Sequence, residues 1–204
     1  MANPVPALQQ ITGLILAGGR GTRMGAVDKG LQQLHGEPLV AHAIRRLQAQ
    51  VGSLAISANR NPEQYARFGL PLWTDLEPDF PGPLAGLQAA LTHCQTPWLL
   101  AVPCDSPFLP LDLADRLRAG LTPATPHAAI AVSGDPAQPR RHPVFCLLHT
   151  SLLPQLTHYL QAGERKMDRW FANVPAAEVC FPDEQAFCNI NTLQELHQLE
   201  SDTQ

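Results

Sequence analysis

The sequence has few charged residues, and its acidic residues outnumber its basic ones. Charged residues make up 16% of the 204 residues, hydrophobic residues make up 45%, and the formal net charge at pH 7 is −4. Such a composition is typical of a globular protein and not of a disordered one. Because duplex-binding surfaces are usually basic, we expect no nucleic-acid partner. A local basic pocket for a small anion stays compatible with this charge.

Long apolar runs and paired cysteines are also absent from the sequence. No run approaches the roughly 20 apolar residues of a membrane span, and the first residues carry no signal-peptide pattern. The five cysteines form no C-x-x-C pair, and the eight histidines form no cluster at zinc spacing. We therefore expect a cytoplasmic protein with reduced thiols, without a membrane partner and without structural zinc.

Short apolar runs alternate with helical patterns along the chain. The runs predict buried parallel strands at residues 11–17, 54–58, 98–102, 128–132 and 144–148, with a weaker candidate at 70–73. Residues 178–181 predict a further short strand. Helical spacing of apolar residues predicts helices over 40–51, 84–91, 111–121, 152–160 and 166–172. Thr192 and Glu195 match a capping box before a last helix. This order predicts one α/β domain, residues 1–204, with a three-layer, Rossmann-like doubly wound, mostly parallel sheet.

A glycine-rich segment follows the first predicted strand. Residues 16–25 have the sequence LAGGRGTRMG, and Lys29 comes shortly after. Such a loop between a strand and a helix binds phosphate through exposed N–H groups and cationic side chains, here Arg23 and Lys29. The dinucleotide fingerprint fails because Met24 holds its third glycine position, and the P-loop pattern fails because no hydroxyl residue follows Lys29. A glycine turn that merely ends the strand is the simpler alternative.

Lysine is scarce in this chain. Lys29 and Lys166 are the two lysines among fourteen basic residues, so the other twelve are arginines. In a chain that favours arginine, we expect lysine where a compact charge on a flexible stem is needed. Lys29 could then reach a β- or γ-phosphate, although either lysine could instead be a solvated surface charge.

Polar residues follow several of the predicted strands. Asp75, the segment 82–86 and Asp105 each come after a strand, and ligands of open parallel sheets bind at the carboxyl ends of the strands. Asp105 lies between two prolines and suits Mg²⁺, which prefers one or two carboxylates together with phosphate oxygens and water. Asp105 could instead cap a helix that begins near Pro110.

The segment Gly82, Pro83, Leu84 has two possible roles. Pro83 at the first position of a helix predicts an ordinary helix start. The flanking glycines also allow a base or ribose to lie against the backbone. The sequence leaves both roles open.

Six motifs together resemble one family. They occur in order over nearly the whole chain: LAGGRGTRMG with DKG at 16–30, SANR at 57–60, PGPLAG at 81–86, PCDSP at 103–107, GERK at 163–166 and NINT at 189–192. This set is similar to that of the molybdenum cofactor guanylyltransferase family, whose fold is nucleotide-diphospho-sugar transferase-like. The related cytidylyltransferases more often have alanine where this chain has Gly18.

The resemblance implies a Mg²⁺-dependent transfer of GMP from GTP to the terminal phosphate of molybdenum-bound molybdopterin, with release of pyrophosphate. It implies a nucleotide-binding half at about residues 11–105 and an acceptor-binding half at about 106–200. The implied partners are these small molecules and, transiently, proteins that insert the cofactor or mature molybdoenzymes.

The resemblance also implies roles for single residues. The guanine nucleotide would be contacted by Leu16, Ala17, Gly18, Gly19, Ser57, Asp75, Gly82, Pro83 and Leu84. Lys29 and Arg23 would stabilise the phosphates, and Asp105 would bind Mg²⁺ and the nucleotide. The pterin acceptor would be contacted by Lys166, Asn189 and Asn191. At position 57 the family more often has asparagine, so the shorter Ser57 departs from its pattern.

Three alternatives stay open. A molybdopterin cytidylyltransferase or a sugar-nucleotide pyrophosphorylase would share the fold, and Gly18 with the loop at 81–86 favours guanine over these. The third is a non-catalytic nucleotide-binding adaptor in molybdoenzyme maturation. Asp105 together with Lys29 argues against an adaptor, because binding alone needs no metal-binding carboxylate.

Overall fold

The computed structural model describes residues 5–17, 28–77 and 82–201. Its strands are β1 (Ile11–Leu16), β2 (Gln33–Leu34), β3 (Glu37–Pro38), β4 (Ser53–Ser57), β5 (Leu72–Trp73), β6 (Trp98–Pro103), β7 (Ala128–Ser133), β8 (Arg140–His149) and β9 (Ala177–Phe181). Its α-helices are α1 (Leu39–Gln48), α2 (Pro62–Ala66), α3 (Pro83–His93), α4 (Leu113–Ala119), α5 (Leu153–Gln161), α6 (Met167–Phe171) and α7 (Leu193–Ser201). The β2–β3 hairpin and α2 are short elements that the sequence patterns did not predict.

Seven strands form one sheet in the order β5-β4-β1-β6-β8-β7-β9. β5, β4, β1 and β6 are parallel neighbours, and β9 is parallel to β7. The chain leaves β1 for β4 and β5 on one side and returns to β6 on the other side. A topological switch point therefore lies between β1 and β6, where open sheets bind ligands. The predicted doubly wound, mostly parallel sheet is confirmed.

The prediction that the run at 144–148 forms a parallel strand is wrong, because this run belongs to the antiparallel strand β8. β8 is antiparallel to both β6 and β7. Only residues 134–139 connect β7 to β8, and a crossover between parallel neighbours needs about a dozen residues or more. The β7–β8 register shifts between Ile130 and Ala131, which leaves residues 143–145 outside the ladder. The connection length, and not the apolar pattern, decides the direction of this strand.

Helices cover both faces of the sheet. On one face α1 and α4 pack against the strands, in a cluster that includes Leu47 and Ile15. On the other face α3, α5 and α6 form a cluster that includes Leu87, Trp170 and Leu14. Leu14 and Ile15 are neighbours in β1 and pack on opposite faces, as expected for a strand that is buried on both sides. Within the described ranges, no helix has the length and apolar content to cross a membrane.

Helix α3 begins at the edge of the sheet where β1 and β4 end, and most of the helix is buried. Residues 84–91 are all buried, Pro83 is the first helical residue, and Gly82 precedes it at φ 115°. A Cβ on Gly86 would lie 2.8 Å from Leu16 Cδ2 and 2.8 Å from Ser57 Oγ. The close approach of α3 to the ends of β1 and β4 therefore depends on the absence of a side chain at Gly86.

The Gly86→Ala substitution tests this close approach. Helix propensity alone would stabilise the variant by about 1 kcal/mol. Because the new Cβ would meet Leu16 and Ser57, we expect instead a net loss of about 1–3 kcal/mol in the free energy of unfolding, measured by denaturant titration. Thr92→Ala, at an exposed position of the same helix, is the control and should stay within about 0.5 kcal/mol of the wild type. A more stable Gly86→Ala variant would contradict the packing argument.

Candidate active site

The carboxyl ends of β1, β4 and β6 bring several of the predicted site residues to one edge of the sheet. The Ala17 N–H donates to the Ser57 carbonyl at 2.8 Å, which ties the end of β1 to the end of β4. The Cys104 N–H donates to the Leu16 carbonyl at 3.0 Å, which ties β6 to β1 on the other side. Asp105 therefore follows the strand next to the one that precedes the glycine-rich segment.

Lys29 lies at the centre of the site. Its Nζ donates to Asp105 Oδ2 at 3.1 Å and to Asn191 Oδ1 at 2.7 Å. Asp105 is 8% exposed, and Lys29 and Asn191 are partly buried. Lys29 and Asn191 are 162 positions apart in the chain. The structure thus joins the predicted phosphate-binding lysine, the predicted metal-binding carboxylate and a predicted acceptor-binding amide.

The alternative role of Asp105 as a helix cap is wrong. The next helix, α4, begins at Leu113 and is preceded by Asp112. Asp105 lies eight positions before that helix, and its carboxylate faces Lys29 instead. The residue is therefore available for site chemistry.

The segment that carries Asn189 and Asn191 is fastened to the Asp105 loop. The Ile190 N–H donates to the Asp105 carbonyl at 2.9 Å, and Ser106 Oγ donates to Asn189 Oδ1 at 2.7 Å. The Ile190 side chain is buried in a small cluster that includes Leu34, Leu39 and Leu196. These contacts hold both asparagines beside Asp105.

The predicted capping box is confirmed at the start of α7. The Glu195 N–H donates to Thr192 Oγ1 at 3.1 Å, and the Thr192 N–H donates to Glu195 Oε2 at 3.3 Å. Glu195 Oε2 also accepts from the Asn191 N–H at 2.6 Å. The helix start therefore fixes the backbone of Asn191.

Asp28 and its partners were missed by sequence reasoning. Asp28 Oδ1 accepts from Tyr65 Oη at 2.6 Å and from the Gly30 N–H at 3.2 Å, and Asp28 Oδ2 accepts from Asn61 Nδ2 at 2.9 Å. The position of Asp28 beside Lys29 was the signal that could have found it. Tyr65 and Asn61 lie more than thirty residues away, and nothing in the local pattern pointed to them.

Asp75 lies on the nucleotide side of the predicted site and is paired with Asn59. Asn59 Nδ2 donates to Asp75 Oδ2 at 2.7 Å, and the Asp75 N–H donates to Asn59 Oδ1 at 2.8 Å. Burial raises the pKa of Asp75 above its ordinary value, and the Asn59 hydrogen bond offsets only part of this rise. Asn59 belongs to the SANR motif but was not predicted as a site residue.

Two predicted nucleotide contacts have buried side chains. Ser57 is 2% exposed and lies under Gly86, and Leu84 is 1% exposed in the core. Gly82 is exposed and Pro83 is partly exposed at the start of α3. The side chains of Ser57 and Leu84 are therefore not accessible at this edge. The start of α3 presents backbone groups there instead.

Lys166 is not joined to the Lys29 cluster. Lys166 is exposed before α6, and within the described ranges its side chain makes no hydrogen bond or ion pair. Its carbonyl accepts from Tyr159 Oη at 2.9 Å. Gly18, Gly19 and Arg23 lie outside the described residues. The roles of these four residues stay predictions.

A cavity of about 310 Å³ lies beside Asn191. Its lining includes Pro103, Arg140, Arg141, Phe145, Phe187 and Asn191. Arg141 Nε is 3.0 Å from Glu178 Oε1, whereas Arg140 is exposed and forms no ion pair with another described residue. The cavity combines positive charge with aromatic surface, and its volume is in the range of small-molecule sites.

His142 forms part of the cavity wall in its neutral form. Its ring stacks on Phe187 at 4.5 Å between centroids, and its Nε2 is 2.7 Å from Ser133 Oγ. Burial lowers the pKa of His142 to about 4, and the nearby Arg140 adds to this effect. The cavity therefore keeps an uncharged aromatic wall near neutral pH.

The lowered pKa of His142 predicts a pH dependence of stability. The folded state disfavours protonation of His142. The contribution of neutral His142 to the unfolding free energy is therefore complete above pH 6.5 and is lost as the pH falls towards 4. Allowing for its partial exposure, we expect wild type to lose roughly 1 kcal/mol more unfolding free energy than His142→Gln between pH 6.5 and 4. Denaturant titrations at several pH values measure this difference.

His158→Gln, on the exposed side of α5, is the matched control. It should follow the wild-type pH profile. Identical profiles for the wild type and His142→Gln would contradict the assignment.

The donor set at the site fits a magnesium ion that is shared with phosphate. Among the described residues, no group of three or more His, Cys, Asp or Glu side chains could hold a metal by itself. Asp105 instead offers one nearly buried carboxylate next to a lysine. Mg²⁺ is commonly bound by one or two carboxylates with phosphate oxygens and water, so Asp105 suits a metal that arrives with a nucleotide.

Known proteins resemble this chain over most of its length. A family model described as the MobA-like NTP transferase domain matches residues 13–178, so the chain is a nucleotidyltransferase. A protein named molybdenum cofactor guanylyltransferase from Ralstonia nicotianae is 56% identical over 194 residues, covering 93% of this chain and 95% of that protein. A protein of the same name from Cupriavidus taiwanensis is 53% identical over 191 residues, covering 93% and 96%. The chain belongs to the molybdenum cofactor guanylyltransferase family.

A solved structure supports the same fold. Molybdopterin-guanine dinucleotide biosynthesis protein A from Archaeoglobus fulgidus superposes with a TM-score of 0.70 and 21% identity, covering 94% of this chain and 98% of that one. At this identity the likeness concerns the fold alone. It agrees with the seven-stranded, mostly parallel sheet and its flanking helices.

Proposed function

We propose that this protein transfers GMP from GTP to the phosphate of molybdenum-bound molybdopterin, forming the molybdopterin guanine dinucleotide cofactor and releasing pyrophosphate. The observation that carries the proposal is the Lys29 cluster, in which one ammonium group contacts Asp105 and Asn191 at the switch point of the sheet. Membership of the guanylyltransferase family supports the choice of substrates.

The reaction is a displacement at the α-phosphorus of GTP. An oxygen of the acceptor phosphate forms the new P–O bond, and the bond between the α-phosphorus and the α,β-bridging oxygen breaks. The electron pair of that bond leaves with pyrophosphate. Because a phosphate monoester is largely ionised near pH 7, no strong general base is needed. Catalysis therefore depends on positioning and on neutralising negative charge.

Lys29 and Asp105 supply the electrostatic part of the mechanism. Asp105 would hold Mg²⁺ together with phosphate oxygens, and the ion would supply charge neutralisation at the reacting phosphates. Lys29 would then direct its ammonium to the triphosphate, assisted by Arg23 and by N–H groups of the glycine-rich loop that includes Gly18 and Gly19. The 3.1 Å contact between Lys29 Nζ and Asp105 Oδ2 supports the proposal that both groups act on one triphosphate.

The nucleoside would lie across the ends of β1, β4 and β5. Leu16 and Ala17 end β1, and Asp75 is held in place by Asn59. The start of α3, at Gly82 and Pro83, presents backbone groups to the same edge. Ser57 and Leu84 act through the backbone in this arrangement, because their side chains are buried.

The acceptor would occupy the cavity beside Asn191. Asn189 and Asn191 line this cavity, Asn191 also contacts Lys29, and Arg140 brings positive charge to the same cavity. An aromatic heterocycle that carries a phosphate fits a site with both aromatic and cationic lining. Lys166 is assigned to the acceptor from the GERK motif only. This division gives a nucleotide half at about 11–105 and an acceptor half at about 106–200.

The cellular setting follows from the thiols and the product. All five cysteines are free, which suits a reducing compartment, and we place the enzyme in the cytoplasm. The product must pass to another protein, so we include transient contacts with proteins that insert the cofactor or mature molybdoenzymes. Phe108 and Leu111, exposed just after the Asp105 loop, are suitable contact residues.

Nucleotide preference tests the proposed function. Pyrophosphate release is measured with molybdenum-bound molybdopterin and Mg²⁺, using GTP, CTP or ATP. We expect GTP to be preferred by at least about tenfold in kcat/KM, since fixed polar groups discriminate between bases. A preference for CTP or ATP would overturn the guanylyl assignment. No release with any nucleotide would favour a non-catalytic adaptor.

The Asp105→Asn substitution tests the catalytic carboxylate. The amide keeps the size of the side chain but removes the charge that Mg²⁺ needs, so we expect kcat to fall by about 10²–10³-fold. Asp115→Asn removes an exposed carboxylate from the surface of α4 and should keep wild-type turnover. Unfolding curves check that both variants fold. Near-normal turnover of Asp105→Asn, at Mg²⁺ concentrations from micromolar to millimolar, would remove Asp105 from the mechanism.

A further inference from the structure

The hydroxyl of Tyr65 is a buried polar group that the proposed mechanism does not use. Tyr65 lies in α2 and is fully buried, and its Oη donates to Asp28 Oδ1 at 2.6 Å. Burial raises the pKa of Tyr65, so its hydroxyl keeps its proton and stays a donor. Phenylalanine would fill this core position equally well, so packing alone does not explain the hydroxyl. The specific partner of the hydroxyl is Asp28, the residue before Lys29.

Asp28 fixes the turn that carries Lys29. Its carboxylate accepts from the Gly30 N–H at 3.2 Å, and its carbonyl accepts from the Leu31 N–H at 3.3 Å and from Gln32 Nε2 at 3.2 Å. These bonds close the short 3-10 turn Lys29–Leu31. Any change in the position of the Asp28 carboxylate would be passed directly to Lys29.

Tyr65 also sets the spacing between this turn and the end of β6. A Cβ on Gly30 would lie 2.5 Å from Tyr65 Oη and 3.1 Å from Cys104 Sγ. The hydroxyl thus packs against Gly30 on one side of Lys29, and Cys104 precedes Asp105 in the chain. The Lys29 turn therefore packs between α2 and the end of β6, the strand that precedes the catalytic carboxylate.

Asn61 completes the support of Asp28. Its Nδ2 donates to Asp28 Oδ2 at 2.9 Å, and its backbone is left-handed at φ 50°. Asparagine adopts this conformation more readily than most residues. Both oxygens of Asp28 are thus held by side chains from the loop and helix that follow β4.

We propose that Tyr65 is a positioning residue for Lys29, acting through Asp28 and with Asn61 so that Nζ reaches Asp105 and Asn191. The proposal rests on the proposed function in one respect, namely that Lys29 binds the β- or γ-phosphate of the nucleotide. It assigns to α2, an element without a predicted role, the task of orienting the triphosphate-binding lysine.

The Tyr65→Phe variant tests the proposal through nucleotide binding. Phenylalanine fills the same space but leaves Asp28 without its hydroxyl donor. We expect the Kd of GTP to rise about tenfold and the Kd of GMP to change by less than about twofold, because GMP lacks the phosphates that Lys29 would hold. Titration calorimetry with each nucleotide measures both constants on the intact protein.

Tyr159→Phe is the matched control. Tyr159 is the other tyrosine of the chain, and its Oη donates to a backbone carbonyl between α5 and α6. This variant should leave the ratio of the GTP and GMP affinities unchanged. If Tyr65→Phe fails to fold, Asn61→Gly keeps the left-handed backbone and removes the second support of Asp28, and it should shift the same ratio in the same direction.

A Lys29→Ala background shows whether Tyr65 acts through Lys29. In that background, Tyr65→Phe should cause no further loss of GTP affinity. Additive losses would overturn the proposal, as would equal weakening of GTP and GMP or unchanged constants in the single variant. If the wild type prefers another nucleoside triphosphate, the guanylyl assignment fails by itself, and the comparison is made with that triphosphate and its monophosphate.

Discussion

The contact of the Lys29 ammonium with Asp105 and Asn191 joins three distant parts of the chain. A charged group that is only partly exposed is costly unless polar or charged groups surround it. Asp105 supplies the opposite charge and Asn191 a carbonyl oxygen, at 3.1 Å and 2.7 Å from Nζ. The turn at Lys29, the end of β6 and the segment before α7 are thereby brought together. Asp28 supports the Lys29 turn, and the Ile190 N–H and Glu195 support the segment before α7.

The order of the strands explains why these segments can meet. β1 and β6 are neighbours at the switch point, so the chain after each of them emerges at the same edge. The antiparallel β8 lies next to β6 and brings Arg140 and Phe145 to the cavity on the proposed acceptor side. Helix α3 lies on the proposed nucleotide side and approaches the ends of β1 and β4 at Gly86. One edge of one sheet thus holds both halves of the proposed site.

Much of the proposed site has signals in the sequence that are local. The glycine-rich segment, Lys29, Asp105 and the capping box at Thr192 are each visible within a few residues, and each has a direct chemical interpretation. Tyr65 and Asn61 could not be found in this way, because their function depends on a contact with Asp28. Ser57 was expected to contact the nucleotide, but packing under Gly86 buries its side chain.

By itself, the sequence determined the α/β class, most of the strands and helices, and the residues that we propose to bind phosphate and metal. These features depend on apolar periodicity and on short motifs, which act over a few residues. Only the tertiary structure decided that β8 is antiparallel, that Asp105 faces Lys29 instead of capping a helix, and that Asn191 reaches the same ammonium group. These features depend on connection lengths and on contacts between residues up to 162 positions apart, which no local pattern contains.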